Sequence, residues 1–180
     1  MFDTAQLHSC GADVRIDDWV RITHPELVDI GNHVAIDFGF FCSTRLQIGD
    51  YVHISPQVSV VGGAEGLLQI ADFVTISSGS RLICSGETFS GEGLVGPFIP
   101  KELRDTLNCA PIRLARFSGI ASNVVVFAGC LVAEGSVVGA GSVLTKSTEP
   151  WTVYAGAPAR PIKRRRSDVL KAHAKKLGYS

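Results

Sequence analysis

Aliphatic residues recur every six positions through the C-terminal half of this 180-residue chain, as Leu114, Ile120, Val126, Val132, Val138 and Leu144, without a slip. The residue after each is mostly small: Ala115, Ala121, Ala133, Gly139 and Thr145, with Phe127 the exception. A helix returns its apolar face about every 3.6 residues and a strand alternates every two, so neither element alone explains six. A fixed short period marks a solenoid of stacked units, and it constrains shape before any local propensity is weighed.

Short straight segments joined by tight corners satisfy this spacing. Three segments make one coil, each sends one aliphatic into a narrow triangular core, and small residues occupy corners that leave no room. Coils then stack at the strand spacing of ~4.8 Å, so that backbone amides pair with the coil above or below. The spacing therefore predicts an all-β fold, a parallel β-helix of hexapeptides. The period begins earlier in the chain, in the related phrases Ile30-Gly31-Asn32-His33-Val34, Ile48-Gly49-Asp50-Tyr51-Val52 and Ile70-Ala71-Asp72-Phe73-Val74. The first two lie one full coil apart, and the third is displaced by four residues that belong at a turn near Val61–Gly66. From about residue 85 to 111 the beat stops among Gly86, Gly91, Gly93, Gly96, Pro97 and Pro100. That stretch predicts one long loop thrown out of the prism, and a loop of such length is functional or disordered.

Charge is balanced overall, at +0, but it is unevenly placed. Lys163, Arg164, Arg165, Arg166, Lys171, Lys175 and Lys176 crowd the last eighteen positions against Asp168 alone. The expected division is a β-helix domain over 1–162 and a basic helix or tail over 163–180. Ser167 is the expected cap, and Val169, Leu170, His173, Ala174 and Leu177 form one apolar stripe. Such a tail packs on the last coil with its charges in solvent, or turns part of its charge toward a phosphorylated ligand. The five cysteines, Cys10, Cys42, Cys84, Cys109 and Cys130, are odd in number and lack a CxxC pair, which reads as reduced thiols. No signal peptide and no apolar run near the ~20 residues of a membrane span is seen, so a cytoplasmic protein is expected, with no nucleic-acid partner.

Three phrases carry a family resemblance: Ile120-Ala121-Ser122-Asn123-Val124, Val138-Gly139-Ala140-Gly141-Ser142-Val143-Leu144-Thr145-Lys146, and Tyr154-Ala155-Gly156-Ala157-Pro158-Ala159-Arg160-Pro161-Ile162-Lys163. With the hexapeptides they resemble the left-handed β-helix acyltransferases, especially sugar O-acetyltransferases of the galactoside and polysaccharide-biosynthesis type. The resemblance implies a left-handed parallel β-helix, a homotrimer, and acetyl-CoA or another acyl-CoA as donor. It also implies that the pantetheine arm lies between neighbouring prisms, with Ser122, Ala140, Thr145, Lys146, Arg160 and Lys163 at the positions matching the family's cofactor contacts. Small residues let an extended arm approach the backbone, and Lys and Arg suit nucleotide phosphates.

The chain departs from the galactoside enzymes where they place their general base, a loop histidine following a segment like Arg81-Leu82-Ile83-Cys84-Ser85-Gly86. Here the next residue is Glu87, and no histidine occurs between His53 and His173. Two candidates remain. Glu87 occupies the matching position, and a carboxylate can act as a base in a desolvated site. His53 stands at a corner of the second copy, facing outward, and an imidazole needs little adjustment to take a proton near neutral pH. Either would deprotonate a sugar hydroxyl or amine as it attacks the thioester, with CoA as leaving group. The excursion, with Phe89, Phe98, Glu92 and its hydroxyls, is the expected selector of a sugar or sugar-nucleotide acceptor. A covalent route through Cys84 lacks a neighbouring base, and a three-histidine zinc site lacks its third histidine. The remaining alternative is a non-catalytic β-helix assembly protein that has lost the loop histidine.

Overall fold

Three parallel sheets form the faces of a prism in the computed structural model, which describes residues 2–179. The first face stacks Ser9–Cys10, Val28–Ile30, Arg45–Ile48, Leu67–Ile70, Ile112–Leu114 and Leu131–Val132. The second stacks Arg15–Ile16, Ala35–Ile36, His53–Ile54, Thr75–Ile76, Gly119–Ile120, Val137–Val138 and Thr152–Ala155. The third stacks Arg21–Ile22, Phe41–Cys42, Ser59–Val61, Arg81–Ile83, Val125–Phe127 and Val143–Leu144. Each strand pairs in parallel with the strand one coil away, so Ile36, Ile54, Ile76, Ile120 and Val138 form one inward column. The hexapeptide aliphatics Leu114, Ile120, Val126, Val132, Val138 and Leu144 are all buried. Burying each such side chain contributes about 1.5–3 kcal/mol, and a stacked column repeats that gain at every coil.

Corners keep the coils in register. Between the first and second faces each coil places one residue in the left-handed backbone region, namely Asp13, His33, Tyr51, Phe73, Phe117 and Gly135. That conformation is unfavourable for residues with a Cβ. Stacking offsets the cost, because the rings of His33 and Tyr51, Tyr51 and Phe73, and Phe73 and Phe117 lie 4.5, 5.2 and 5.3 Å apart. Carboxylates beside this ladder tie coil to coil. The amide of Asn32 donates to Asp50 Oδ1 at 2.6 Å, and the amide of Asp50 to Asp72 Oδ1 at 3.0 Å.

The C-terminus differs from the sequence expectation in two ways. Residues 163 and 164 are not helical: Arg160–Arg164 runs back antiparallel along Thr152–Ala155 and closes the second face. Backbone pairing with an open sheet edge satisfies this segment better than an isolated turn of helix would. The α-helix spans only Asp168–Lys176, and the Ser167 side chain makes no capping bond, because its own backbone is already helical at φ −111, ψ −31. Of the expected stripe only Ala174 is buried, while Val169, His173 and Leu177 are exposed. The basic run is partly structural: the Arg165 guanidinium donates to the carbonyls of Phe117 and Gly135 at 2.8 and 3.0 Å, and Lys171 reaches Glu134 at 3.2 Å.

Tyr179 fastens this tail. Its ring lies edge-on to Tyr51 and Phe73, and its hydroxyl donates to Asp50 Oδ2 at 2.5 Å. That bond, with burial second, pushes the phenol up to about 12, and the same bond holds Asp50 below the usual carboxylate range. A raised phenol pKa contributes stability that is complete below the ordinary tyrosine value near 10 and is lost as pH rises through 12. Asp50 contributes in the opposite sense, above its unfolded value, and its contribution is lost on acidification. Ultraviolet titration of phenolate should therefore show a late component near pH 12 that Tyr179→Phe abolishes, while hydrogen exchange of residues 168–178 becomes faster in the variant.

Residues 85–111 leave the prism as expected, though not as a structureless loop. Ser85–Glu87 and Leu107–Cys109 form an antiparallel stem, and Lys101–Leu103 makes a 3-10 turn. Asp105 pins the excursion from inside, accepting from the Ser90 hydroxyl at 2.6 Å and the Thr106 amide at 2.7 Å.

Candidate functional site

Four-residue corners join the second face to the third in every coil, and equal lengths align them. The strand registers on either side place Asp18, Phe38, Pro56, Ser78, Ser122 and Ala140 in one column running the length of the prism. In its upper part this column carries only small side chains, Ser78, Ser122 and Ala140. At its top the Ala155–Pro161 phrase folds over the last coil: the Gly156 amide donates to Ser142 Oγ at 3.1 Å, and the Ala159 amide to the Val143 carbonyl at 2.8 Å. Arg160 leaves this turn beside Ala155 and so crowns the same edge.

The predicted cofactor residues thus divide. Ser122, Ala140 and Arg160 share the second-to-third edge, with Ser122 and Ala140 one coil apart and the Gly141 amide bonded to the Ser122 carbonyl at 2.9 Å. Thr145 and Lys146 are exposed at the next edge, after the third face, and Lys163 pairs with Val153 nearer the middle of the second face.

His53 sits in a strand of the second face rather than in a corner, in the outward column Ala35, His53, Thr75, Gly119 and Val137. Its Nε2 lies 2.8 Å from Asp37 Oδ2, one coil below. Asp37 in turn accepts from Arg15 Nη2 at 2.8 Å, and Arg15 Nη1 reaches Asp17 at 2.6 Å. The Asp37 side chain is only 15% exposed. Burial pushes this carboxyl up, but the hydrogen bonds and charges of His53 and Arg15 outweigh burial, and its pKa falls below the usual value. An ionised carboxylate on Nε2–H orients the ring and leaves Nδ1 to accept a proton.

Glu87 is half-buried in the excursion stem, opposite Leu107. It lines a cleft of about 660 Å³ together with Ile83, Phe89, Asn108 and Phe127. Within one chain the two candidate bases are not brought together: His53 stands on the second face, Glu87 at the foot of an arm that leaves the third, with no hydrogen bond or ion pair between them. Cys84 is buried, and burial pushes its thiol up to about 12, which rules against a thiolate nucleophile. Among the described residues no group of three or more His, Cys, Asp and Glu side chains could hold a metal ion, and no helix is long and apolar enough to cross a membrane.

The sequence reading missed Asp37 and Arg15. Their signal was available once the register was known, because Asp17 and Asp37 are twenty apart, one coil, as are Arg15 and Ala35.

Stacked hexapeptide coils with a small-residue edge, a basic closing strand and an excursion define a β-helix transferase scaffold. No family model matches the chain. The dTDP-4-amino-4,6-dideoxy-D-glucose acyltransferase of Escherichia coli is 31% identical over 91% of this chain and 85% of that protein. The putative lipopolysaccharide biosynthesis O-acetyl transferase WbbJ of Escherichia coli strain K12 is 33% identical over 69% of this chain and 60% of its own length. AntD, an N-acyltransferase from Bacillus cereus solved in complex with dTDP and 3-hydroxybutyryl-CoA, superposes with a TM-score of 0.91 at 30% identity, covering 97% of this chain and 92% of that one. The chain belongs to the left-handed β-helix, hexapeptide-repeat acyltransferases that act on sugars and sugar nucleotides.

Proposed function

We propose that this protein transfers an acyl group from acetyl-CoA, or a related short acyl-CoA, to an amine of a nucleotide-linked sugar in surface-polysaccharide biosynthesis. The observation that carries this reading is the Asp37–His53 pair, placed beside the lower end of the small-residue edge. The relatives matched over most of their length act on an amino sugar or are N-acyltransferases, which favours an amine over a hydroxyl. In this reading Ser122 and Ala140 admit the pantetheine arm to the edge, while Arg160, Lys163, Thr145 and Lys146 meet its nucleotide end.

His53 Nδ1 takes the proton of the attacking nitrogen as the new C–N bond forms at the thioester carbonyl. The C–S bond then breaks, and the proton passes to the departing CoA thiolate. Asp37 stabilises the imidazolium that exists between those events. Glu87 comes from the excursion of a neighbouring protomer and binds the acceptor. The exposure of Phe89 and Phe98, 75% and 97%, on an arm that would otherwise present them to water favours a homotrimer in which the excursion docks on a neighbour. A CoA-ester donor favours a cytoplasmic reaction.

Two measurements test the reading. Saturation with acetyl-CoA at about a hundred times its Kd adds about 2.7 kcal/mol of stability and raises Tm, and Arg160→Ala with Lys163→Ala shrinks that shift. Transfer is then followed by chromatographic detection of free CoA with a panel of sugars, sugar nucleotides and their 4-amino forms. A chain that neither gains stability nor releases CoA with any acceptor is not the enzyme described.

A further inference from the structure

The C-terminal helix, Asp168–Lys176, does not lie flat on the prism. Among its described residues only Ala174 is buried, Leu170 is half-buried, and Leu177 just beyond it is exposed. Leu170, Ala174 and Leu177 instead face a cavity of about 300 Å³ between the helix and the second face, walled on the other side by Phe73 and Phe117. Gly119 deepens its floor. This residue stands in the outward column of His53, Thr75 and Val137, and its backbone is ordinary strand, so no conformational demand calls for glycine there. A Cβ added at Gly119 would touch only Val137, at 3.5 Å, an ordinary contact. Glycine weakens a strand, and inside one it often marks a place where a ligand or another backbone comes close. Arg165 supplies the cavity's polar end. Its Nη1 donates to the carbonyls of Phe117 and Gly135 at 2.8 and 3.0 Å, which leaves Nε and Nη2 without an acceptor among the described residues. No acidic side chain among them pairs with it, and burial alone pushes the guanidinium below its ordinary pKa. A cation withdrawn from water without a counter-charge is costly unless an anion joins it.

We propose that this cavity binds a small monocarboxylic acid with a flat apolar body, its carboxylate on Arg165 and its body between Gly119, Phe117 and the helix. The inference goes beyond the acyl-transfer reading and does not need it. The cavity lies toward the corner of Phe73 and Phe117, across the second face from the Ser122 and Ala140 edge assigned to the donor. Chemistry selects the occupant. Nε and Nη2 form a fork that matches two carboxylate oxygens. Phosphate fits less well, because its second charge would enter apolar walls that hold one guanidinium. The volume is at the small end for ligand sites, too small for a nucleotide or CoA. A second copy of the chain is a poorer occupant, because the chain's own helix roofs the space. A bound acid would join Leu170 and Leu177 to the second face, and so order the tail that Tyr179 fastens further down.

Calorimetric titration of the full chain with phenylacetate, its neutral amide phenylacetamide, and acetate tests the site. Phenylacetate should bind saturably and slow hydrogen exchange of residues 168–178. The amide keeps the shape without the charge and acetate keeps the charge without the ring, so each should bind about tenfold or more weakly. Arg165→Gln should weaken phenylacetate by a similar factor. Gly119→Val fills the floor at a backbone that accepts a side chain, and should abolish binding while Tm stays at or above that of the wild type. Equal affinity for acid and amide overturns the proposal, as does wild-type affinity in Gly119→Val or the lack of saturable binding by phenylacetate. Competition by acetyl-CoA also overturns it, since the cavity would then belong to the donor's path. So does a change of oligomeric state in Gly119→Val by light scattering, which would make the cavity the seat of a neighbouring protomer. Loss of the acetyl-CoA thermal shift with phenylacetate binding intact strikes the acyl-transfer reading alone.

Discussion

Replacing His53 by alanine is expected to lower kcat by about 10²–10⁴-fold, the usual contribution of a positioned general base, while leaving the KM for acetyl-CoA nearly unchanged. The expectation follows from geometry: Asp37 engages Nε2 at 2.8 Å, so the ring is oriented before substrate arrives. Asp37→Asn preserves shape but removes the charge that stabilises the imidazolium, and kcat should fall by about tenfold or more. Sign and pH window follow from the depressed Asp37 pKa. The carboxylate's contribution is present above the ordinary aspartate value near 4 and disappears only as pH falls through the lower, folded value. Wild type and Asp37→Asn should therefore differ at every pH above about 4, as stopped-assay pH profiles will show. Glu87→Ala should instead raise the KM for the acceptor more than it lowers kcat. If His53→Ala keeps full kcat while Glu87→Ala loses it, the assignments of base and binder are reversed.

Ile120→Ala is expected to cost about 2–5 kcal/mol and lower Tm by roughly 4–20 °C. Ile120 is buried between Ile76 in the coil below and Val138 in the coil above, each fixed by a backbone ladder. Neither neighbour can move inward without breaking its own pairing, so the cavity stays open and its full cost is felt. Phe127, on the third face of the same coil, is 41% exposed, and Phe127→Ala should change stability by less than about 0.5 kcal/mol. Urea or thermal melts of the two variants provide the check, and equal destabilisation would contradict an inward column as the source of stability.

The hexapeptide beat was enough to place the core residues, the turn near Val61–Gly66 and the point where the chain leaves the prism at Ser85. Each is local in sequence: six residues make one face, so the period carries the fold directly. The C-terminal helix begins at Asp168, beside the Ser167 position the sequence offers for its start, whereas the pairing of Arg160–Arg164 was not legible, because the open sheet edge that captures it is a tertiary feature. The antiparallel stem of the excursion escaped notice for the same reason, since Ser85 and Cys109 meet across the whole arm.

Sequence alone determined a stack of three-sided coils, the family resemblance, and the list of side chains able to take a proton or admit a thiol arm, because periodicity, small corners and missing histidines are all written in order along the chain. Only the tertiary structure decided which of those groups are neighbours. Asp37 meets His53 and Tyr179 meets Asp50, pairings separated by 16 and 129 positions. The physical reason is stacking: residues one coil apart lie about 4.8 Å from each other whatever lies between them in the chain, so insertions such as the excursion change sequence distance without changing spatial order.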